Sequence, residues 1–126
     1  MTFEKVNSLV EALESEVDNG GFDQFFFNPA GNRTKETIEA LILIGAKKTA
    51  EVVRHAASKF PGGLPSSDRY ERQDQLEKVS PDADAFEDDD EAFLRYEDDL
   101  ANNNQGNEST PHRYLTRRTG YTKVVS

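Results

Sequence analysis

The chain has 126 residues, of which 35% are apolar and 31% are charged, and it contains no cysteine. These totals suit one domain with a modest core, and they exclude a disulfide framework and chemistry at a thiolate. A net charge of −9 makes nucleic acid and anionic membranes poor partners for the whole molecule and favours a basic protein. No apolar run approaches the roughly 20 residues that span a bilayer. Because residues 1–5 also lack the basic start of a signal peptide, we expect a cytoplasmic protein.

Two apolar patterns predict helices near the N-terminus. Over residues 3–17, apolar side chains recur at helical spacing on one face: Val6, Leu9, Val10, Leu13 and Val17. Residues 18–21 are expected to end this helix, because glycine accommodates the left-handed conformation of a C-cap. Residues 22–28 predict a short buried helix with three aromatic rings on its inward face: Phe22, Phe25 and Phe26. Residues 29–32 predict a turn.

Two more apolar helices are predicted before a firm break. Residues 34–44 form the first, which ends at Gly45 and has four inward candidates: Thr34, Ile38, Leu41 and Ile42. Residues 47–60 form the second, whose inward residues are mostly small and permit close helix packing: Ala46, Ala50, Val53, Ala57 and Phe60. The prolines and glycines of residues 61–65 end it.

The last two helices are predicted mainly from their first turns. Asp68 followed by Glu71 has the form of a capping box, so a helix is expected over residues 68–79 that partly buries Tyr70, Leu76 and Val79. Asp88 and Glu91 repeat that pattern before a last helix, in which three apolar residues follow at spacings of three and four: Phe93, Tyr96 and Leu100.

Residues 101–126 differ in character from the helical part. They begin with an asparagine-rich stretch that has nothing to bury, and they carry one acidic and four basic side chains. Their two short stretches with strand character would be marginal as an isolated pair. We therefore predict an all-α fold, a compact bundle of about five to six short helices in an acidic domain over residues 1–100. A flexible, polar and basic C-terminal tail over residues 101–126 is expected to be disordered, and mobile at residues 102–112.

The acidity is concentrated in one segment. Residues 64–100 carry fourteen acidic and four basic side chains, whereas residues 1–63 carry nine and seven. The densest part supplies the predicted partner-binding residues: Asp84, Glu87, Asp88, Asp89, Asp90, Glu91, Glu97, Asp98 and Asp99. If residues 82–99 were helical, they would span about 27 Å with roughly one net charge per 3 Å, close to the one phosphate per about 3.4 Å of a DNA strand. The acids at 88–91 would also favour a helix start through the helix dipole, which is an ordinary structural role.

Residues typical of an active site are scarce. His55 lies off the inward face of its helix and His112 lies in the tail, so both are interpreted as surface residues. No serine stands in a nucleophile elbow, no phosphate loop follows the glycines, and residues 82–86 lack the third oxygen ligand and the glycine of a calcium loop. We therefore expect no catalytic residue, no metal site and no cofactor. A deep pocket containing His55 and two or more acids would instead favour an enzyme.

One block of the sequence resembles a known family. Residues 19–28, which read Asn-Gly-Gly-Phe-Asp-Gln-Phe-Phe-Phe-Asn, are similar to the small acidic bacterial DNA-mimic proteins, most of which carry only an unknown-function label. The likeness covers about residues 8–100. It implies an all-α fold and, in the family's best-understood type, a dimer whose acidic surface occupies the DNA-binding face of a transcription factor. The shared positions are interpreted as structural: Asn19, Gly20, Gly21, Phe22, Gln24, Phe25, Phe26, Asn28 and Gly45.

Three hypotheses about function stay open. A DNA mimic would present contiguous carboxylates on one face and capture a basic DNA-binding protein in a salt-dependent manner, without binding nucleic acid itself. An immunity or antitoxin-like inhibitor of a basic toxin follows the same charge logic, so the identity of the captured protein distinguishes it from the mimic. An enzyme with an unrecognised site is the third hypothesis.

Overall fold

The computed structural model describes residues 1–96, which form five α-helices and contain no strand. In chain order the helices are α1 (Phe3–Phe27), α2 (Thr34–Leu43), α3 (Lys47–Ala57), α4 (Arg69–Val79) and α5 (Glu87–Arg95), with 3₁₀ turns at Pro29–Arg33 and Pro61–Gly63. The predicted all-α fold is confirmed. None of these five helices is long and apolar enough to cross a membrane. The predictions for Leu100 and for the tail lie outside the described residues.

Helix α1 is broken at its two glycines. Gly20 (φ −150°) and Gly21 (φ 73°) both leave the helical conformation, so the two helices predicted for residues 3–17 and 22–28 are segments of one kinked element. Gly21 combines this positive φ with an extended ψ of −174°, a conformation essentially restricted to glycine that would cost another residue about 1–3 kcal/mol. As predicted, the second segment turns three rings into the core, where none of them is exposed: Phe22, Phe25 and Phe26.

An aromatic cluster connects α1 to α5 and to the residues that follow α3 and precede α5. The ring centroid of Phe26 lies 4.8 Å from that of Phe60 and 5.2 Å from that of Phe86. The ring of Phe22 meets that of Phe93 edge-on at 6.0 Å. Each such pair contributes about 0.5–1.5 kcal/mol beyond the burial of its area. This cluster therefore fixes α5, which carries most of the predicted site, against α1.

Two predictions about burial are wrong. Ile42 is 45% exposed and Tyr70 is 74% exposed. Each lies off the arc that its helix buries: Tyr70 is two residues, or about 200° of rotation, away from the buried Arg72.

The two predicted capping boxes differ in outcome. Asp68 caps α4 as predicted, because its carboxylate accepts the backbone N–H of Glu71 at 2.9 Å. The second is wrong: α5 begins at Glu87, one residue before Asp88, and no side chain of residues 1–96 caps it. Residues 82–86 are not helical either, so the acidic run, residues 82–99, is not one continuous helix.

A buried arginine fastens α4 to the end of α1. Arg72 has no exposed surface, and its guanidinium donates to three backbone carbonyls: Nε to Phe26 at 2.6 Å, Nη2 to Asn28 at 2.9 Å and Nη1 to Ser66 at 3.0 Å. The last carbonyls of a helix lack partners within it, and a cation there is favoured by the helix dipole. Arg72 meets both needs at the C-terminus of α1.

Candidate functional site

A lysine that follows α3 holds the first turn of α5. Lys59 Nζ donates to Asp88 Oδ1 at 2.8 Å, to Asp89 Oδ2 at 2.7 Å and to the carbonyl of Ala85 at 2.7 Å. Burial alone would lower the pKa of Lys59, but its hydrogen bonds to Asp88 and Asp89 outweigh burial and raise it. The same contact holds the pKa of Asp88 below its usual value. Part of the acidic run is therefore neutralised from within the fold.

Asp89 points inward and is enclosed by α3. Its side chain is only 3% exposed, and its Oδ1 lies 2.6 Å from Nδ1 of His55, whose side chain is 59% exposed. With Lys59 on Oδ2, both carboxylate oxygens of Asp89 have partners inside the chain. The side chain therefore joins α5 to α3 and presents little surface to a partner.

An open groove of about 350 Å³ lies between α3 and α5 and is lined in part by Lys48, Glu51, His55, Asp88 and Asp89. A carboxylate on one imidazole nitrogen can orient the ring as a general base, so the His55–Asp89 pair has a geometry that acid–base catalysis can use. Within the part of the chain that the structure describes, no serine, threonine or cysteine lines it.

The same groove has the side chains of a possible cation site. The ligand atoms of His55, Asp88 and Asp89 lie within 4.8 Å of one another. The ammonium of Lys59 is within hydrogen-bond distance of both aspartates, so a positive charge already lies where a metal ion would bind.

Asp90 caps the second segment of α1. Its Oδ1 accepts the backbone N–H of Phe22 at 2.8 Å, at the point where the glycine break frees N–H groups of a new helix start. Burial raises the pKa of Asp90, and the nearby charge of Asp23 adds to this, while the bond from Phe22 acts in the opposite direction. A Cβ at Gly21 would overlap the Asp90 carboxylate, which explains a glycine at that position.

The other described acids of the predicted site remain at the surface: Asp84, Glu87, Asp88 and Glu91. The side chain of Asp88 is 64% exposed despite its contact with Lys59, and that of Glu91 is 78% exposed beside Arg95. Glu97, Asp98 and Asp99 lie outside the described residues. The structure thus divides the predicted set into outer carboxylates and the two inner ones, Asp89 and Asp90.

Three further carboxylates surround a second groove, between the end of α1 and α4. The groove has a volume of about 580 Å³, and its walls include Asp23, Asp74 and Glu77. Burial and the charge of Asp84 raise the pKa of Asp23, and a hydrogen bond with Ser80 acts in the opposite direction. The sequence prediction missed these residues. Asp74 and Glu77 belong to the acidic segment 64–100, but no local signal connects Asp23 with it.

The polar residues of the Asn-Gly-Gly-Phe block bond to one another. Asn19 Nδ2 donates to Gln24 Oε1 at 3.2 Å, while Gln24 and Asn28 both donate to the carboxylate of Glu16, at 2.6 and 3.0 Å. These bonds cross the glycine break and hold the two segments of α1 in position. Gly45, the last of the shared positions, has a left-handed φ of 81° after α2.

The family model described as DMP19-like protein matches residues 3–110. The chain belongs to the DMP19-like family. The match takes in all five helices, both grooves and the whole acidic run. No curated protein matches the chain, and no solved structure matches it.

Proposed function

We propose that this DMP19-like chain is a non-catalytic acidic binding protein that occupies the DNA-binding surface of a transcription factor or another basic protein. The observation that carries the proposal is the stretch 82–91, which contains seven acidic residues and no lysine or arginine. Five of the seven are exposed: Asp82, Asp84, Glu87, Asp88 and Glu91.

The outer carboxylates suit electrostatic recognition of a protein. Asp84 and Asp23 influence each other electrostatically, so the acids that precede α5 and those of the α1–α4 groove are neighbours. A surface patch whose charges share one sign raises the rate of association with an oppositely charged partner, and salt weakens this effect. In place of one linear array, the fold offers a broad acidic area drawn from α1, α4 and α5.

Capture of a partner by two matched variants tests this proposal. The first variant, Asp84→Asn with Glu87→Gln and Glu91→Gln, removes three outer charges. The control, Glu4→Gln with Glu36→Gln and Glu39→Gln, removes three charges from α1 and α2. Wild type and control should capture the same DNA-binding protein from a lysate of the source cells and release it as salt rises, while the first variant should capture little.

A DNA-binding assay of the captured protein completes the test. Adding the acidic chain should release that protein from its DNA in a mobility-shift gel. Equal capture by both variants would refute a role for the outer carboxylates. Capture of a basic toxin that acts on another target would favour the immunity-like inhibitor.

The resemblance also implies a homodimer, which we include in the proposal. Ile42 and Leu43, at the end of α2, are adjacent, apolar and exposed by 45% and 61%. Sedimentation of the purified chain would give its mass directly, and a mass of one chain at micromolar concentration would refute the dimer.

The His55–Asp89 pair favours an enzyme as the second candidate. Its groove contains one histidine and three acids, Glu51, Asp88 and Asp89, although it is open to solvent. Hydrolysis of simple ester or phosphoester substrates that His55→Gln abolishes, with partner capture unchanged, would favour the enzyme.

A further inference from the structure

We infer that the groove between α1 and α4 is a docking site for an arginine side chain of the basic partner. The inference rests on the proposed function and places the anchoring contact outside α5. The groove volume of about 580 Å³ falls within the range of about 300–1,000 Å³ that is usual for binding pockets. Its walls carry Asp23, Asp74 and Glu77, and among residues 1–96 no lysine, arginine or histidine lines it, although Arg69 lies over the ring of Phe27.

The groove combines this charge with an apolar wall. Phe27 and Leu76 line it beside the carboxylates, and Phe27 is 50% exposed. An arginine has an apolar stem and a planar, charged head that stacks on aromatic rings and binds carboxylates in pairs. The Phe27 ring already receives one guanidinium, that of Arg69, at 5.8 Å from its centroid. Half of the Phe27 side chain remains exposed, so a guanidinium of the partner would meet the part of the ring that Arg69 leaves uncovered.

The glutamine side chains that line the groove donate their hydrogen bonds to groups outside its set of carboxylates. The Nε2 groups of Gln24 and Gln73 donate within the chain, to Glu16 at 2.6 Å and to the Phe27 carbonyl at 2.9 Å. Asp74 and Glu77 are both exposed on α4, one turn apart. An incoming guanidinium can thus meet two carboxylates on one helix while its stem covers the aromatic ring.

Binding of a short basic peptide tests the inference. The probe is an acetylated and amidated hexapeptide of alternating arginine and glycine with a fluorescent label, and its control carries uncharged citrulline in place of arginine. Asp74→Asn with Glu77→Gln should weaken binding of the arginine peptide by about tenfold, because both charge partners on α4 are lost. Glu36→Gln with Glu39→Gln makes the same charge change at the same spacing on α2, and it should alter binding by less than about twofold.

A third variant separates the groove from α5. If Glu87→Gln with Glu91→Gln weakens the peptide and the groove variant does not, the inference is overturned while the proposed function stands. If all three variants weaken it equally, the peptide responds to net charge alone and the inference is overturned. Equal binding of the citrulline peptide would overturn it too, and partner capture would then decide the proposed function independently.

A measurement on the unmodified protein removes any dependence on how the variants fold. In an NMR titration of the wild type, the arginine peptide should shift the side-chain amide signals of Gln24 and Gln73 in a saturable manner. Shifts confined to α5 would contradict docking in the groove. A fourth variant, Phe27→Leu, keeps an apolar side chain but removes the aromatic face, so it should weaken binding of the arginine peptide.

Discussion

Replacing Arg72 by methionine would test whether hydrogen bonds from its guanidinium hold α4 to the end of α1. The side chain is fully buried and donates to carbonyls of Phe26, Asn28 and Ser66 at 2.6, 2.9 and 3.0 Å. Methionine keeps an unbranched apolar stem, so the substitution removes donors more than volume. The three carbonyls would then lose a charged partner, the Phe26 carbonyl in a buried position and those of Asn28 and Ser66 in partly buried ones.

The expected loss follows from the number of bonds. A buried polar group left without a partner costs about 1–3 kcal/mol. Removing the cation also removes the cost of keeping a charge out of water, which offsets part of the loss. Three carbonyls left without a donor, less this offset, give an expected loss in the free energy of unfolding of about 3–5 kcal/mol for Arg72→Met. Arg72→Lys should lose less than the methionine variant, since lysine keeps the charge but not the planar fork.

Urea unfolding, followed by circular dichroism of the helices, measures this loss. With a slope of about 1.5 kcal/mol per molar urea, a loss of 4 kcal/mol lowers the midpoint by roughly 2–3 M. Arg69→Met is the matched control: Arg69 donates to the Phe27 carbonyl at 3.1 Å in an exposed position, so its loss should stay below about 1 kcal/mol. Equal midpoints for the two variants would refute the role assigned to the buried arginine.

The remaining predictions use the same unfolding assay. Gly31→Ala should destabilise the fold by about 1–3 kcal/mol, because its Cβ would lie 2.7 Å from Arg72 Nε and 2.8 Å from a backbone carbonyl. Gly62→Ala is the control, because a Cβ there meets no atom of the described residues within 4 Å. It should cost only the backbone strain of a φ of 78°, about 1–2 kcal/mol. Burial raises the pKa of Asp90, so ionisation of Asp90 opposes folding. Asp90→Asn should therefore become more stable relative to wild type as the pH rises from about 4 through the native pKa of Asp90. The lowered pKa of Asp88 gives the opposite sign: Asp88→Asn should be less stable than wild type at neutral pH, and the difference should vanish as pH falls below about 4 through the native pKa. Midpoints measured between pH 3 and 7 check both signs, and parallel pH profiles for the two variants would contradict them.

The helices could be predicted from the sequence where burial follows a local period. The apolar stripe of α1 and the alanine face of α3 repeat every three to four residues, and the structure buries them as expected, Val6 only in part. The α4 pattern is weak because its most buried side chain is charged: Arg72 bonds to carbonyls that lie 44 and 46 residues away along the chain. No local period contains that information. The apolar pattern of α4 therefore predicts burial of Tyr70, and it gives no sign that Arg72 is buried.

The candidate site could be predicted only as a segment, since adjacent acidic residues look alike in a sequence. Whether an acid of α5 faces inward depends on groups from other elements, namely Lys59 and His55 for Asp89 and the freed N–H of Phe22 for Asp90. Asp23 joins the acidic area through α1, which lies far from the run in the chain. Long-range packing therefore decides both which predicted acids are unavailable and which unpredicted ones are added.

The division into outer and inner carboxylates determines how binding by the acidic run can be measured. Substituting residues 88–90 together would remove the carboxylate partners of Lys59, His55 and Phe22, so a lost partner would not distinguish a weakened fold from a weakened surface. Exposed charges are screened by salt within a Debye length of about 8–10 Å, whereas partly buried pairs are screened much less. Salt that releases a partner while leaving the helical signal unchanged therefore acts on the outer carboxylates, and the inner pair continues to hold α5 in place.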